Sequence, residues 1–455
     1  MPRDERDLSD LHARATDFGK EAWSERPYFG GPAAPAQDET NASDTWGHMN
    51  GGYLVGYEYT RWWKESLALR NDAILGDWSW LGKARVTGAD AEAFMDHATV
   101  RDLTGQDVGQ IMFTPMVNAD GDLAIEGLTF RLGEDEFMFS QSGATAWLER
   151  LRAETGMDVD VENVTADYTV YALQGPESRG ILEAVTGESF DDLDFSRFRR
   201  TELLDTEVLV DRQGVTGEVG YEFLMRTDTG RAADLWRTIR EAGAEYGLRE
   251  LGLRAQMIGH TEAGYATAIR DYLPARVPPD QLGRFYRHWM AAEELDAIPW
   301  ELTEHLCSPA ELGWGGLIDL DSEFHGREAL VAEADAGGPD RRFVGLVWDG
   351  DEVADLFADL FRDDTDAPPL DLPSGPLRVQ FYEVTRDGER VGWASGTAYS
   401  PNFRRMLSNG RLRRDVATPG TEVTVHWGDL AGGPIREIPA EVVDQPMVEQ
   451  DRFAD

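Results

Sequence analysis

Lysine is nearly missing from these 455 residues: of 43 basic side chains only Lys20, Lys64 and Lys83 are lysines, and the rest are arginines. Basic charge is scarce as a whole. Asp and Glu number 85, so the formal net charge is -42 at pH 7, and a surface of that sign repels phosphate backbones and anionic headgroups. The expectation is no nucleic acid and no membrane among the partners. Cysteine is down to one, Cys307, which rules out an internal disulfide framework and any CxxC metal or redox motif. No apolar run approaches the ~18 residues of a membrane span, and the opening MPRDERDLSD is too charged for a signal peptide. A soluble, cytoplasmic protein is expected. An acidic excess with arginine in place of lysine also suits a salt-rich, halophilic cytoplasm, where a Debye length of about 3 Å at 1 M screens self-repulsion.

Several site signatures are missing too. GHMNGGYLVG at 47–56 does not spell GxxxxGK[ST], no GxGxxG joins a strand to a helix, and HExxH does not occur. His305 and Cys307 are two metal-ligand types without partners, so no metal is expected.

What is present is ample apolar material, 41% hydrophobic and 10% aromatic, enough for two to four packed domains. Residues 1–45, with the patch GGPAAPAQDE, read as an extended N-terminal arm; EADAGGPDRR at 333–342 and DDTDAPPLDLPSGP at 363–376 read as breaks. The front part repeats itself. ARVTGADAEAFMDHAT (84–99) and YALQGPESRGILEAVT (171–186) each read as strand, glycine turn (Gly88, Gly175) and amphipathic helix, and each is followed by a two-stranded hairpin and a helix, at 109–155 and 206–247. Trp147 and Trp236 fall at matching places in those last helices. In the second one Leu235, Trp236, Ile239, Ala242 and Tyr246 recur at helical steps, with Thr229 placed to cap its start and Gly247 its end.

That element order is most of a split βαβ unit. The fold expected is α+β: two ferredoxin-like split βαβ domains, at 46–165 and 166–335, the second with its connector. From 342 to 455 the period-two runs RRFVGLVW, LRVQFYEV, ERVGWASGTAY and TEVTVHW, with Asp387-Gly388 as a hairpin turn, predict a small antiparallel β-barrel. Three such lobes leave a crevice between them, where small-molecule sites prefer to form.

GVTGEVGYEF at 214–223, LQGPESRGILEAVTG at 173–187, GLRAQMIGHTEAG at 252–264 and LGWGGLIDLDSEFHGREAL at 312–330 together resemble the folate-dependent aminomethyltransferase (glycine cleavage T-protein) superfamily. Within it, YTRWWKESLALRNDAILGDWSWLGKARVTG (59–88), VWDGDEVADLFADLF (347–361), YSPNFRRMLSNGRL and GTEVTVHWGD are most similar to the tetrahydrofolate-dependent vanillate and syringate O-demethylases. The resemblance implies three lobes around a central folate cavity, tetrahydrofolate as cofactor, and transfer of a methyl group from a small-molecule donor, an aryl methyl ether or related compound, to N5.

By similarity, Glu222 is the acceptor for the pterin ring N–H and its neighbouring exocyclic NH2, which one carboxylate can take together. Glu218 helps shape the turn. Tyr221 is grouped with these cofactor-binding residues, although on an extended strand it faces opposite to Glu222 and suits a core. The T-protein's Asp pair falls at Ile125 and Glu126, and isoleucine cannot steer a cationic amine, which favours methyl over aminomethyl transfer. The folate-contacting arginine of that family falls at Gln256, which is grouped with both the cofactor-binding and the catalytic residues and offers hydrogen bonds but no titratable proton. A departing phenolate then needs a proton from elsewhere, and His260, four residues on, or Glu126 are the candidates. A cationic donor would need no acid, and Tyr57, Tyr59, Trp62, Trp63, Trp78 and Trp80 are numerous enough for an aromatic cage or, equally, for a core. Two alternatives stay open: an aminomethyltransferase with a lipoyl carrier protein as partner, and a non-catalytic folate-binding protein, whose K-G-C-Y-x-G-Q-E stretch is not found here.

Overall fold

A computed structural model describes residues 31–49, 53–278, 301–363, 365, 369–372, 380–428 and 433–453. Helix α1 (Ala34–Asp38) is followed by the hairpin β1 (Thr45–Met49) and β2 (Tyr53–Glu58), then α2 (Trp62–Asn71) and β3 (Ile74–Asp77). Residues 1–30 of the expected arm lie outside the described residues. The remainder is not an extended arm: Ala33 and Ala36 are buried in a hydrophobic core, and the Gln37 amide donates to Asp77 at 2.7 Å. Small side chains in a Pro/Ala patch let the backbone pack closely, which composition alone reads as a linker.

The first lobe comprises β4 (Lys83–Thr87), α3 (Ala91–Ala98), β5 (Ile111–Val117), β6 (Leu123–Gly133), β7 (Glu136–Ser140), α4 (Ala144–Thr155) and β8 (Asp160–Asn163), with sheet order β5-β6-β7-β4-β8. The second repeats the plan with β9 (Tyr168–Gln174), α5 (Ser178–Thr186), β10 (Phe198–Leu203), β11 (Thr206–Asp211), β12 (Gly220–Arg226), α6 (Ala232–Gly243) and β13 (Arg249–Glu250), ordered β10-β11-β12-β9-β3-β13. Without the edge strands β5 and β10 and the inserted β3, both sheets have the ferredoxin-like strand order. Two details differ from the sequence expectation. Each helix α3 and α5 is followed by three strands, not two, and β3, at 74–77, joins the second sheet between β9 and β13, so the division at 46–165 and 166–335 does not coincide with the sheets.

The repeated glycines have a shared cause. Gly88 and Gly175 have φ of +135° and +120°, and a Cβ on either would lie 2.4 and 2.6 Å from the carbonyl oxygens of Asp158 and Asp72. Only glycine turns from strand to helix there. The helices then cover one face of each sheet, burying Trp147 of α4 and Trp236 of α6 in separate cores. Helix α6 starts at Ala232, later than the cap predicted at Thr229, whose hydroxyl instead accepts from the Arg231 N–H in the preceding turn.

The uncovered faces of the two sheets pack on each other through an apolar seam of Ile74, Phe130, Met138, Val170, Ala172 and Leu224. Helix α7 (Leu253–Glu262) is buried at every position but Arg254; it is not amphipathic because it stands between α2 and the barrel. After α8 (Arg327–Asp335) comes β14 (Arg341–Trp348), α9 (Gly350–Asp359), β15 (Tyr382–Arg386), β16 (Glu389–Ser400), β17 (Arg405–Arg413), β18 (Glu422–Gly428) and β19 (Ile435–Val443). These strands close a barrel in the order β14-β17-β16-β15-β18-β19, with β19 back on β14. Positive φ at both Asp387 (54°) and Gly388 (78°) gives the predicted hairpin turn its twist. Residues 377–379 of the run LRVQFYEV lie outside the described residues.

Candidate functional site

Residues two apart on a strand share a face. Along β12 the seam residue Leu224 is followed by Glu222, along β11 the seam-packed Leu209 precedes Asp211, and along β6 Phe130 and Leu128 lead to Glu126. Lys83 lies opposite to Ala84 and Val86, which face the helix-covered core, and so it too faces the seam. The apolar seam thus ends in ionisable groups that are all buried: Asp211 is 0%, Glu126 and Lys83 1% and Glu222 6% exposed.

Glu222 and Asp211 sit directly opposite each other on adjacent strands. The Glu222 carboxylate accepts no hydrogen bond among the described residues, and burial lifts its pKa to about 7 against the pull of the Lys83 charge. Neither oxygen of Asp211 has a hydrogen-bond partner among the described residues; burial and the neighbouring Glu222 charge push its pKa well up. Lys83 donates to the carbonyls of Ser79 (3.1 Å) and Leu81 (2.7 Å), while burial draws its pKa down to about 7, opposed by Asp77 and Glu222.

The glycine motif is built around Gln174 at the end of β9. Its amide donates to the Gln213 carbonyl at 2.9 Å and accepts from the Thr216 hydroxyl at 3.1 Å, and a Cβ on Gly214 or Gly220 would lie 2.0 or 2.3 Å from it. Gly217, at φ +88°, packs against the C-terminal tail, whose Arg452 N–H donates to the Gly217 carbonyl (2.9 Å) while its guanidinium reaches Gly214 (3.1 Å). Glu218 pairs with Arg70 at 2.9 Å, and Arg70 also bonds Glu262 of α7 at 3.0 Å. Glu218 therefore ties the loop to α7. Tyr221 is on the other face of β12, in the helix-covered core, where its hydroxyl accepts from Arg179 Nε at 3.1 Å. Strand alternation takes it away from Glu222.

Glu126 accepts from the Tyr272 hydroxyl and from Gln141 Nε2 (3.3 Å). Burial raises its pKa to about 7, opposed by Tyr272 and the Arg276 charge. Ile125, its neighbour, faces the helix-covered core. On α7, the Gln256 amide makes no hydrogen bond among the described residues. His260 Nδ1 meets Thr267 Oγ1 at 3.0 Å, Nε2 is buried without a partner, and burial with the Arg270 charge holds the imidazole near pKa 3. A neutral imidazole of that kind has no proton to lend at neutral pH. Tyr265 packs edge-on against His260 at 5.4 Å, and its phenol is raised by burial and by the charges of Glu126 and Glu222, with Arg452 opposing. It thus joins the two carboxylate sites and the tail in one electrostatic neighbourhood.

Sequence reading did not single out Asp211, Tyr265, Tyr272 or Arg452, and it noted Lys83 only as one of three lysines, with no place in the site. Only Asp211 left a signal, as an acid closing the apolar run VLV. The six aromatic residues do not form one cage: Tyr59 stacks on Trp236, Trp78 lies in the inter-sheet seam, Tyr57 and Trp80 pack beside Leu253, and Trp62 meets Tyr399. No group of three or more potential metal ligands occurs among the described residues, and no helix among them is long and apolar enough to cross a membrane.

The seam's end offers a pterin one chemically complementary group, Glu222. The pterin's ring N–H and exocyclic NH2 supply adjacent donors, and Glu222 is a buried carboxylate that no described donor satisfies. The family model described as the GCVT N-terminal domain matches residues 39–283. A sesamin methylene transferase from Sinomonas sp. is 32% identical, over 88% of this chain and 91% of that protein. A syringate O-demethylase from Sphingobium sp. is 27% identical over 83% and 85%, and an aminomethyltransferase from Halothermothrix orenii is 26% identical over 87% and 94%. The crystal structure of glycine cleavage system aminomethyltransferase T from Bartonella henselae superposes with a TM-score of 0.69 at 20% identity, covering 93% of this chain and 99% of that one, a likeness of fold. The chain belongs to the GCVT family of folate-dependent one-carbon transferases, whose carrier is tetrahydrofolate.

Proposed function

We propose that the protein takes a one-carbon unit from an aryl ether, a methyl group in the simplest case, and delivers it to tetrahydrofolate, and that it does so in a salt-rich cytoplasm. The observation carrying this reading is Glu126: a carboxyl buried at the seam, fixed by Tyr272 and Gln141, and poised near pKa 7. Bound tetrahydrofolate supplies the secondary amine N5 that takes up the carbon. Glu222 would hold the pterin edge in its ionised form, and the Lys83 charge favours that form. Glu126 in its neutral form gives its proton to the ether oxygen as the carbon–oxygen bond breaks, so that a phenol leaves instead of a phenolate. The proton that N5 held restores the carboxyl, and charge balances overall. Relatives named for syringate O-demethylation and sesamin methylene transfer support aryl ether substrates. His260, held near pKa 3, is the weaker candidate for the acid, and Gln256 offers only hydrogen bonds.

The test is formation of 5-methyltetrahydrofolate from vanillate or syringate in molar KCl. Because Glu126 must be protonated and Glu222 ionised, kcat/KM should pass through a maximum near pH 7. Glu126→Gln should lower kcat by about 100-fold or more and remove the Glu126 contribution to the alkaline fall, so that kcat no longer declines through pH 7. Turnover by Glu126→Gln at the wild-type rate would overturn the acid assignment. The second reading, aminomethyl transfer from a lipoyl carrier, draws on the relatives named aminomethyltransferase; it predicts turnover with an aminomethyl-lipoyl protein and none with methoxybenzoates.

A further inference from the structure

Asp211 is the most deeply enclosed carboxyl beside the candidate site and the one least accounted for. It is 0% exposed, so a ligand does not reach it, and neither oxygen is partnered among the described residues. Cross-strand partners in an antiparallel pair have Cβ atoms about 5 Å apart on the same face, and Asp211 has Glu222 as its partner. Two carboxylates so placed do not both ionise; they hold one proton between them. Which one keeps it follows from the surroundings. Lys83 favours a charge on Glu222, whereas among the described residues Asp211 feels the charge of Glu222 and no cation, and burial and that charge outweigh the Glu222 backbone N–H that favours its ionised form.

We propose that Asp211 is a positioning residue that stays protonated and donates its O–H to Glu222, orienting that carboxylate and leaving its outward oxygen to the N–H and NH2 edge of the pterin. The inference rests on the folate reading of Glu222. The pair then resembles a nucleophile, base or ligand held by a third group, with the orienting group sealed behind the one that touches the ligand. Asp211 would also keep the buried charge single, because a second ionisation behind Glu222 would add repulsion that no cation among the described residues offsets on its own side.

The experiment titrates the wild-type protein, Asp211→Asn, Asp211→Leu and Glu222→Gln with 5-formyltetrahydrofolate, an air-stable probe that keeps the pyrimidinone edge, by calorimetry from pH 6 to pH 9. An asparagine amide donates the same hydrogen bond as a neutral carboxylic acid, so Asp211→Asn should bind within about threefold of wild type at pH 7. Leucine fills the same space without the donor and should weaken binding at least tenfold, since a hydrogen bond to a charged group is lost. Any loss of wild-type affinity at the alkaline end that Asp211→Asn does not share marks ionisation of Asp211 and supports the proposal. Lys83, Tyr265, Glu126 and Arg452, the other ionisable groups facing this neighbourhood, are common to both proteins and cancel in the comparison. Equal loss or equal retention of affinity in the Asn and Leu variants, with melting temperatures showing both folded, would overturn the proposal. Unchanged binding by Glu222→Gln would instead sink the folate reading beneath it.

Discussion

At the scale of the residue, Glu126 shows how a site built for proton transfer works against stability. Its pKa rises from 4.5 to about 7 on folding, so the folded state binds that proton more tightly than the unfolded chain. The stabilisation is complete below pH 4.5 and is lost as pH rises through 7. Glutamine at this position has no proton to lose. The stability difference between Glu126→Gln and wild type should therefore grow in favour of the variant by on the order of 3 kcal/mol between pH 5 and pH 8, while activity falls. Urea denaturation at the two pH values measures this, and a difference independent of pH would remove the basis for the acid assignment. Taking the difference between two pH values cancels any misfit of the amide against Tyr272 and Gln141. Legibility in the sequence was uneven here. The face of Glu222 follows from alternation with Tyr221, and its burial follows from the apolar strand around it. Nothing in the chain's order announces that Tyr272 reaches Glu126, or that Arg452 returns to the loop at 214–217, because those contacts join segments far apart in sequence.

At the scale of the element, the strand–glycine–helix units were readable because each carries a local requirement, a turn where only glycine avoids the carbonyl behind it. The extra edge strands were not. β10 reads FRRTEL and exposes its alternate positions to solvent, so it lacks the apolar run that marks a strand, and only pairing with β11 makes it one. The glycine motif at 214–220 makes a sharper prediction. Gly220 does not need positive φ; what it needs is room for the Gln174 amide, which a Cβ would approach to 2.3 Å. Gly220→Ala should destabilise the protein by about 1–3 kcal/mol through overpacking, and adding Gln174→Ala should cost less than the sum of the two single changes, since the crowded group is gone. Strict additivity in a double-mutant cycle would show that the loop is held by something other than this amide.

At the scale of the whole molecule, two kinds of electrostatics oppose each other. Arginine pairs cover much of the surface, among them Arg237 and Arg240 with Glu39 and Arg413 with Glu389 and Asp415, and salt should weaken them. Exposed pairs of this kind contribute about 0–1 kcal/mol each. Against them stands the mutual repulsion of a chain with a formal charge of -42, which acts between every pair of surface acids and is screened by the same ions. Buried pairs such as Arg70 with Glu262 and Arg411 with Glu311 are shielded from solvent and respond little to either. The repulsion involves far more charges than the pairs do, so the melting temperature should rise with KCl. The rise should be steepest at low salt, where the Debye length shortens from about 30 Å at 0.01 M to about 8 Å at 0.15 M, and should flatten towards 1 M, where it is about 3 Å. Equal osmolality of sucrose should not reproduce that curve, because a neutral solute screens nothing. A melting temperature that is flat or falling over the same range of KCl would mean that the surface pairs prevail, and that the acidic excess is no adaptation to salt.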